Sequence, residues 1–284
     1  MKFPNPSYRK TKSGPVEYAD VGKGKPLLAL HGAMGGYDQS YILARTVGPD
    51  DARVIAVSRP GYLGTPLKSG ETPEQQAYLC ALLLDQLGIK ETAVVAVSGG
   101  GPCALNFALR HPDKCKALIL VSTCGGVMNT PIPFSFKLMQ LFTRWQWIAD
   151  WMKKRTARDI VNAAKRAVKD DELCERTLAH PQAGPLFKTL LLSTFDQMSK
   201  RLTGTKNDII VTRKTDYPLE KIEVPTLVVH GTADSVVPYE KHAGSLSQRI
   251  PRVKLLTIEN GEHVAIFTHR DLVQSTVCDF LNTL

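Results

Sequence analysis

Ser98, Asp234 and His263 are the residues of this chain whose types and places could do chemistry together. Ser98 ends the apolar run Val94-Val95-Ala96-Val97 and is followed at once by Gly99-Gly100-Gly101-Pro102. A strand that stops in a serine and turns directly into a helix lifts the side chain above the sheet. There it meets a helix N-terminus, whose free N–H groups and macrodipole favour negative charge. The turn is tight, so the residues two before and two after the serine must be small, and they are Ala96 and Gly100. A serine hydroxyl is a weak nucleophile that needs a base to accept its proton and an acid to orient that base. Asp234 falls just after the apolar run ending in His230-Gly231, and His263 just after the run ending in Thr257-Ile258. The chemistry would be acyl transfer: Ser98 attacks a carbonyl, His263 relays the proton, and Asp234 holds the imidazole's tautomer. The oxyanion needs two backbone donors. Gly99, directly after the serine, is one; Ala33, in the glycine-rich loop Gly32–Gly36, is the other, with Met34 the second choice.

Each residue also has an ordinary reading. Ser98 can cap a helix, Asp234 can be a turn residue beside Ser235, and His263 can be a surface histidine. Gly99-Gly100-Gly101-Pro102-Cys103-Ala104 imitates a dinucleotide-binding turn, but the next strand ends in Leu120-Val121-Ser122-Thr123 without the carboxylate that would hold a ribose. What is specific is the joint placement: serine, then aspartate, then histidine, each in the loop after a buried strand. His31 reads as a loop brace, His230 as structural and Glu262 as solvated.

The elements that must position these residues follow from the apolar pattern. Buried strands are expected at 26–32, 53–58, 93–97, 117–121, 225–230 and 253–258, and helices at 37–47, 73–87 and 102–110, then from 240 and from 271. Strands alternating with helices at this pace imply a parallel sheet covered on both faces. Two short polar segments before residue 21 suit an antiparallel edge. From about Pro131 to Thr215 the pattern is helical, with no clear buried strand and with all three tryptophans.

These motifs resemble the α/β-hydrolase family. Leu28-Ala29-Leu30-His31-Gly32 is similar to its oxyanion-loop motif, and Ser58-Arg59-Pro60-Gly61-Tyr62 to its D-x-P-G-x turn, with Ser58 where Asp is usual. Ser98-Gly99-Gly100-Gly101-Pro102 looks like a nucleophile elbow with Ala96 in place of the first glycine; His230-Gly231-Thr232-Ala233-Asp234 and Gly261-Glu262-His263 look like the acid and base loops. The resemblance covers residues 1–124 and 216–284. It implies an α/β core with a mostly parallel eight-stranded sheet, helices on both faces, a helical cap at 125–215 and a metal-free acyl-enzyme mechanism. The cap matches no subfamily, so the resemblance stops short of a substrate.

Composition sets the remaining bounds. The 284 residues are 43% hydrophobic and 22% charged, which excludes a disordered tail or a coiled coil. No apolar stretch reaches the ~18 residues of a membrane span, and the first residues lack a secretory h-region. The six cysteines form no C-x-x-C pair and suit a reducing, cytoplasmic compartment. Of the net charge of +9, residues 125–215 carry +8 (16 Lys+Arg, 8 Asp+Glu) and the remainder +1. No basic run interleaved with aromatics suits nucleic acid. The charge fits a solvated helix face, steering of anionic substrates, or contact with an anionic lipid surface.

The reading is a serine carboxylesterase without cofactor or metal, acting on a small-molecule ester with an apolar part. Ser98, Asp234 and His263 are its triad, Ala33 and Gly99 its oxyanion hole, and Met34, Phe142 and Trp145 its substrate-binding residues; a homodimer is admissible. The same triad would serve a perhydrolase, an acyltransferase, a carbon–carbon bond hydrolase, or a ligand receptor with slow hydrolysis.

Overall fold

The structure is a computed structural model that describes residues 2–129 and 145–284. Its frame is an eight-stranded sheet: β1 (Ser7–Thr11), β2 (Gly14–Val21), β3 (Pro26–Leu30), β4 (Arg53–Val57), β5 (Thr92–Val97), β6 (Cys115–Val121), β7 (Thr226–Gly231) and β8 (Val253–Ile258). The spatial order is β1-β2-β4-β3-β5-β6-β7-β8. The first two strands pair antiparallel at one edge, as their polar sequences suggest, and every pairing from β4 onward is parallel.

Period-two alternation explains why the central strands are apolar throughout. In β5, Val94 and Ala96 face one core layer, while Ala93 and Val95 face the other. The first layer is covered by α2 (Pro73–Gln86), α3 (Gly101–Arg110) and α9 (Tyr239–Arg249), and the second by α1 (Tyr37–Val47) and α11 (Arg270–Asn282). α2 starts on a capping box, in which Thr72 and Gln75 bond each other's backbone, with Pro73 in the first turn. A short helix, α10 (Ala265–Thr268), precedes α11 and was not legible as a separate element.

Between β6 and β7 the described residues contain helices only: α4 (Gln146–Arg158), α5 (Ile160–Lys165), α6 (Asp171–Ala179), α7 (Ala183–Ser193) and α8 (Ser199–Thr212). α8 lies directly on the turn after β4. Gly204 N–H donates to Gly61 O at 2.9 Å, and a Cβ on Gly61 would stand 2.7 Å from Gly204 Cα. Gly61 also has φ +86°, so both its conformation and this close approach require glycine. Among the described residues no helix is long and apolar enough to cross a membrane.

Candidate active site

All the sequence-predicted residues described here lie at the carboxyl ends of parallel strands or on the insertion, the edge where open α/β sheets carry their sites. Ser98 directly follows β5 and has φ +50°, a left-handed conformation rare outside glycine. Strain of this kind, roughly 1–3 kcal/mol, persists only when neighbours over-determine it. Here Thr123 Oγ1 donates to Ser98 O, a Cβ on Gly100 would lie 2.6 Å from Leu30 O, and one on Gly32 3.1 Å from Ser98 Cβ. The small residues around the serine are therefore steric requirements of the turn. Helix α3 follows after one 3₁₀ turn over Ser98–Gly100, so it starts one residue before the expected Pro102.

Asp234 follows β7 and is buried, with its carboxylate fully used. Oδ1 accepts from the N–H groups of Val236 and Val237, each at 2.9 Å. Oδ2 accepts from His263 Nδ1 at 2.8 Å and lies 3.4 Å from His230 Nε2. Burial alone would raise this carboxyl, but hydrogen bonds from His230 and His263 and the Val237 N–H hold it well below the usual carboxylate range. His263 Nδ1 is thereby committed to Asp234, which leaves Nε2 as its free ring nitrogen. His230 also reaches Val237 O at 2.8 Å, bracing the loop that carries Asp234. Ser98 and His263 line one cavity, and Ser98 Oγ makes no hydrogen bond to a described residue.

The loop after β3 presents the Gly32–Ala33 peptide. His31 Nδ1–H donates to Gly32 O at 2.6 Å, and His31 Nε2 accepts the Arg59 N–H at 3.0 Å, which sets the tautomer. Burial, helped by the Arg59 charge, pushes His31 well below the usual histidine range and keeps it neutral. Because the peptide is planar, holding Gly32 O aims the Ala33 N–H the opposite way. Met34 N–H donates to Thr205 Oγ1 at 2.9 Å. The Ala33 and Gly99 N–H groups have no acceptor among the described residues, and a Cβ on Gly99 would stand 3.4 Å from Ala33 N. Of the two loop candidates, Ala33 carries the available donor.

A buried network invisible to motif reading supports this loop. Arg59 bonds Asp208 of α8 and His31 O, and Tyr62 O–H donates to Asp208 Oδ2. Burial opposes the Arg59 charge, but Asp208 beside it holds the guanidinium protonated. Arg201, also on α8, pairs with buried Asp38 at 2.6 Å and reaches Met34 O at 3.4 Å.

The cavity has a volume of about 330 Å³. Its wall holds Ser98, His263 and Ala33; most of the rest is Ile42, Leu43, Leu190, Leu191, Ile266 and Phe267, with Gln39 and Thr194. Neither Met34 nor Trp145 is part of that wall; Trp145 is exposed. Phe142 lies outside the described residues. The leucines of α7 and Phe267 of α10 were missed, although the Leu190-Leu191-Leu192 run was the signal for them. Two larger hollows, of about 510 and 550 Å³, touch none of Ser98, Asp234 and His263.

The sequence profile of the alpha/beta hydrolase fold matches residues 25–270. A poly(3-hydroxyalkanoate) depolymerase from Ectopseudomonas oleovorans is 28% identical over 90% of this chain and 84% of that protein. A 2-hydroxy-6-oxo-6-phenylhexa-2,4-dienoate hydrolase from Burkholderia cepacia is 27% identical over 94% and 91%. Among solved structures, an alpha/beta hydrolase fold protein from Nakamurella multipartita superposes with a TM-score of 0.83 at 32% identity, covering 98% of this chain and 99% of that one.

Proposed function

The chain belongs to the α/β-hydrolase family, and from that premise we propose that it hydrolyses small carboxylic esters through an acyl-enzyme on Ser98. Ser98 Oγ bonds to the ester carbonyl carbon as its proton passes to His263 Nε2. The tetrahedral oxyanion receives the N–H groups of Ala33 and Gly99, worth roughly 3–4 kcal/mol per donor. The carbon–oxygen bond to the alcohol breaks, and His263 returns the proton to the leaving oxygen. Water, deprotonated by His263, then releases the acid and restores Ser98. Asp234 holds the imidazole tautomer throughout. The described residues of 125–215 form the cap on a core drawn from 1–124 and 216–284. The six cysteines are free, which suits a reducing cytoplasm.

The observation that carries this reading is the Asp234–His263 hydrogen bond at 2.8 Å, with His263 opening on the same apolar cavity as a strained Ser98. The dienoate hydrolase relative favours a second reading, in which the same machinery cleaves a carbon–carbon bond next to a carbonyl. A fluorophosphonate should label Ser98 alone, and Ser98→Ala should lose several orders of magnitude in kcat on p-nitrophenyl esters. Labelling at another serine, or an active Ser98→Ala, would overturn the proposal. Slow ester turnover with fast cleavage of a vinylogous 1,5-diketone would favour the second reading.

A further inference from the structure

All three tryptophans of the chain stand exposed between positions 145 and 151. Trp145 is 51%, Trp147 67% and Trp151 56% exposed. Tryptophan is highly buried on average, so a cluster left in water needs a reason. α4 supplies the pattern. Its outward stripe reads Trp147, Asp150, Trp151, Lys154, Arg155 and Arg158, all exposed, at the spacings that share one helix face. Its inner side carries the buried Ala149 and half-buried Ile148 and Met152, and Lys153 pairs with Asp196 just beyond α7. The aromatic residues sit in the N-terminal half of the stripe and the cations in the C-terminal half. Arg155 lies over the Trp151 ring at 5.7 Å. Lys154, Arg155 and Arg158 make no ion pair among the described residues.

We infer that this face of α4 docks on an anionic lipid surface. Indole rings, apolar with one N–H donor, suit the headgroup boundary, and unpaired Lys and Arg beside them meet acidic headgroups. Charge complementarity extends beyond the helix: residues 125–215 hold +8 of the chain's +9. The occupant is a bilayer and not an acidic protein, because Trp147 and Trp151 stand side by side on the outward face of a single helix, with the cations one turn further on. The inference goes beyond the reading of Ser98 and stands without it.

The unmodified chain tests this, since its tryptophan emission comes only from this region. Vesicles of phosphatidylcholine with phosphatidylglycerol should blue-shift the emission and pellet the protein at 0.01 M salt, where the Debye length is ~30 Å; both effects should fade by 1 M, where it is ~3 Å. Phosphatidylcholine vesicles alone should do neither. Trp147→Ala with Trp151→Ala should abolish pelleting, while turnover of a soluble ester and thermal stability stay unchanged. Lys154→Gln, Arg155→Gln and Arg158→Gln together should weaken binding by roughly 100-fold at low salt, about fivefold per cation. No shift and no pelleting with the anionic vesicles would overturn the inference, as would equal binding to both vesicle types. So would a vesicle-independent blue shift that grows with protein concentration alongside a dimer lost in Trp147→Ala, which would assign the face to a second copy. Loss of ester turnover in Ser98→Ala has no bearing on vesicle binding, so the two readings fail separately.

Discussion

Arg59 and Asp208, 149 positions apart, form a bidentate ion pair inside the protein, at 2.9 Å to Oδ1 and 2.6 Å to Oδ2. Arg59 is 1% exposed, and the pair joins the turn after β4 to α8 beside Gly99. Removing one member of a buried pair leaves the other charge uncompensated and costs about 3–5 kcal/mol. Asp208→Asn should therefore lower the urea midpoint by that equivalent, with no change in m. Asp208→Leu combined with Arg59→Met should recover most of the loss. A drop below about 1 kcal/mol for Asp208→Asn would mean that the pair is solvated and contributes as a surface bridge does.

Thr205 and Met34 link α8 to the loop after β3 through one hydrogen bond of 2.9 Å. Met34 itself has φ +58°, so the loop is held in a conformation it would otherwise leave. Thr205→Val keeps the shape and deletes the acceptor. An unpaired N–H costs roughly 1–3 kcal/mol, enough to let the loop shift and misaim Ala33. kcat on a p-nitrophenyl ester should fall about tenfold or more with KM little changed, and Thr205→Ser should restore it. A Tm loss in Thr205→Val with kcat intact would reduce the bond to a structural one.

The strand ends and the small residues around Ser98 were legible because period and turn chemistry are local. β4, β5, β7 and β8 begin and end within a residue or two of the apolar runs, and β1 with β2 forms the expected antiparallel edge. The Arg59–Asp208 and Asp38–Arg201 pairs were not legible. They join residues 149 and 163 positions apart, and nothing in a charged residue's neighbours along the chain names its partner. The cavity wall failed for a related reason. Helical periodicity marks an apolar face but not what it meets, so Trp145 and Leu190 look equally suited to line a pocket; only Leu190 does, while Trp145 faces out.

Acid should destabilise the fold well above the range in which carboxylates titrate. His242 on α9 is buried, and its Nδ1 has no partner among the described residues. Burial, with the Lys241 charge beside it, pushes its pKa down to about 4. An unfolded histidine titrates at ~6.5, so between that pH and about 4 the unfolded chain binds a proton that the folded chain refuses. Stability is then full above ~6.5 and falls as pH is lowered across this window. His31, also held neutral by burial, contributes in the same direction. Urea midpoints should hold level from pH 7.5 to ~6.5 and then decline down to pH 4.5, more shallowly in His242→Gln. Parallel slopes for the two proteins would show that His242 titrates freely.

The cavity should discriminate against charge in the acyl group. Its described wall holds no lysine or arginine, and its polar side chains are Gln39, Ser98, Thr194 and His263. A carboxylate pushed among Ile42, Leu190, Leu191 and Phe267 would lose its hydration without gaining a cation, a cost of several kcal/mol. A p-nitrophenyl ester with a terminal carboxylate on its acyl chain should therefore show kcat/KM at least about 100-fold below that of a neutral ester of equal length. Leu190→Arg would place a cation in the wall. It should raise kcat/KM for the carboxylate ester and lower it for the neutral one, a crossing that a general loss of packing cannot produce. Equal kcat/KM for the two esters in the wild-type chain would mean that the acyl group does not enter this cavity, and the ester reading would need a different binding mode.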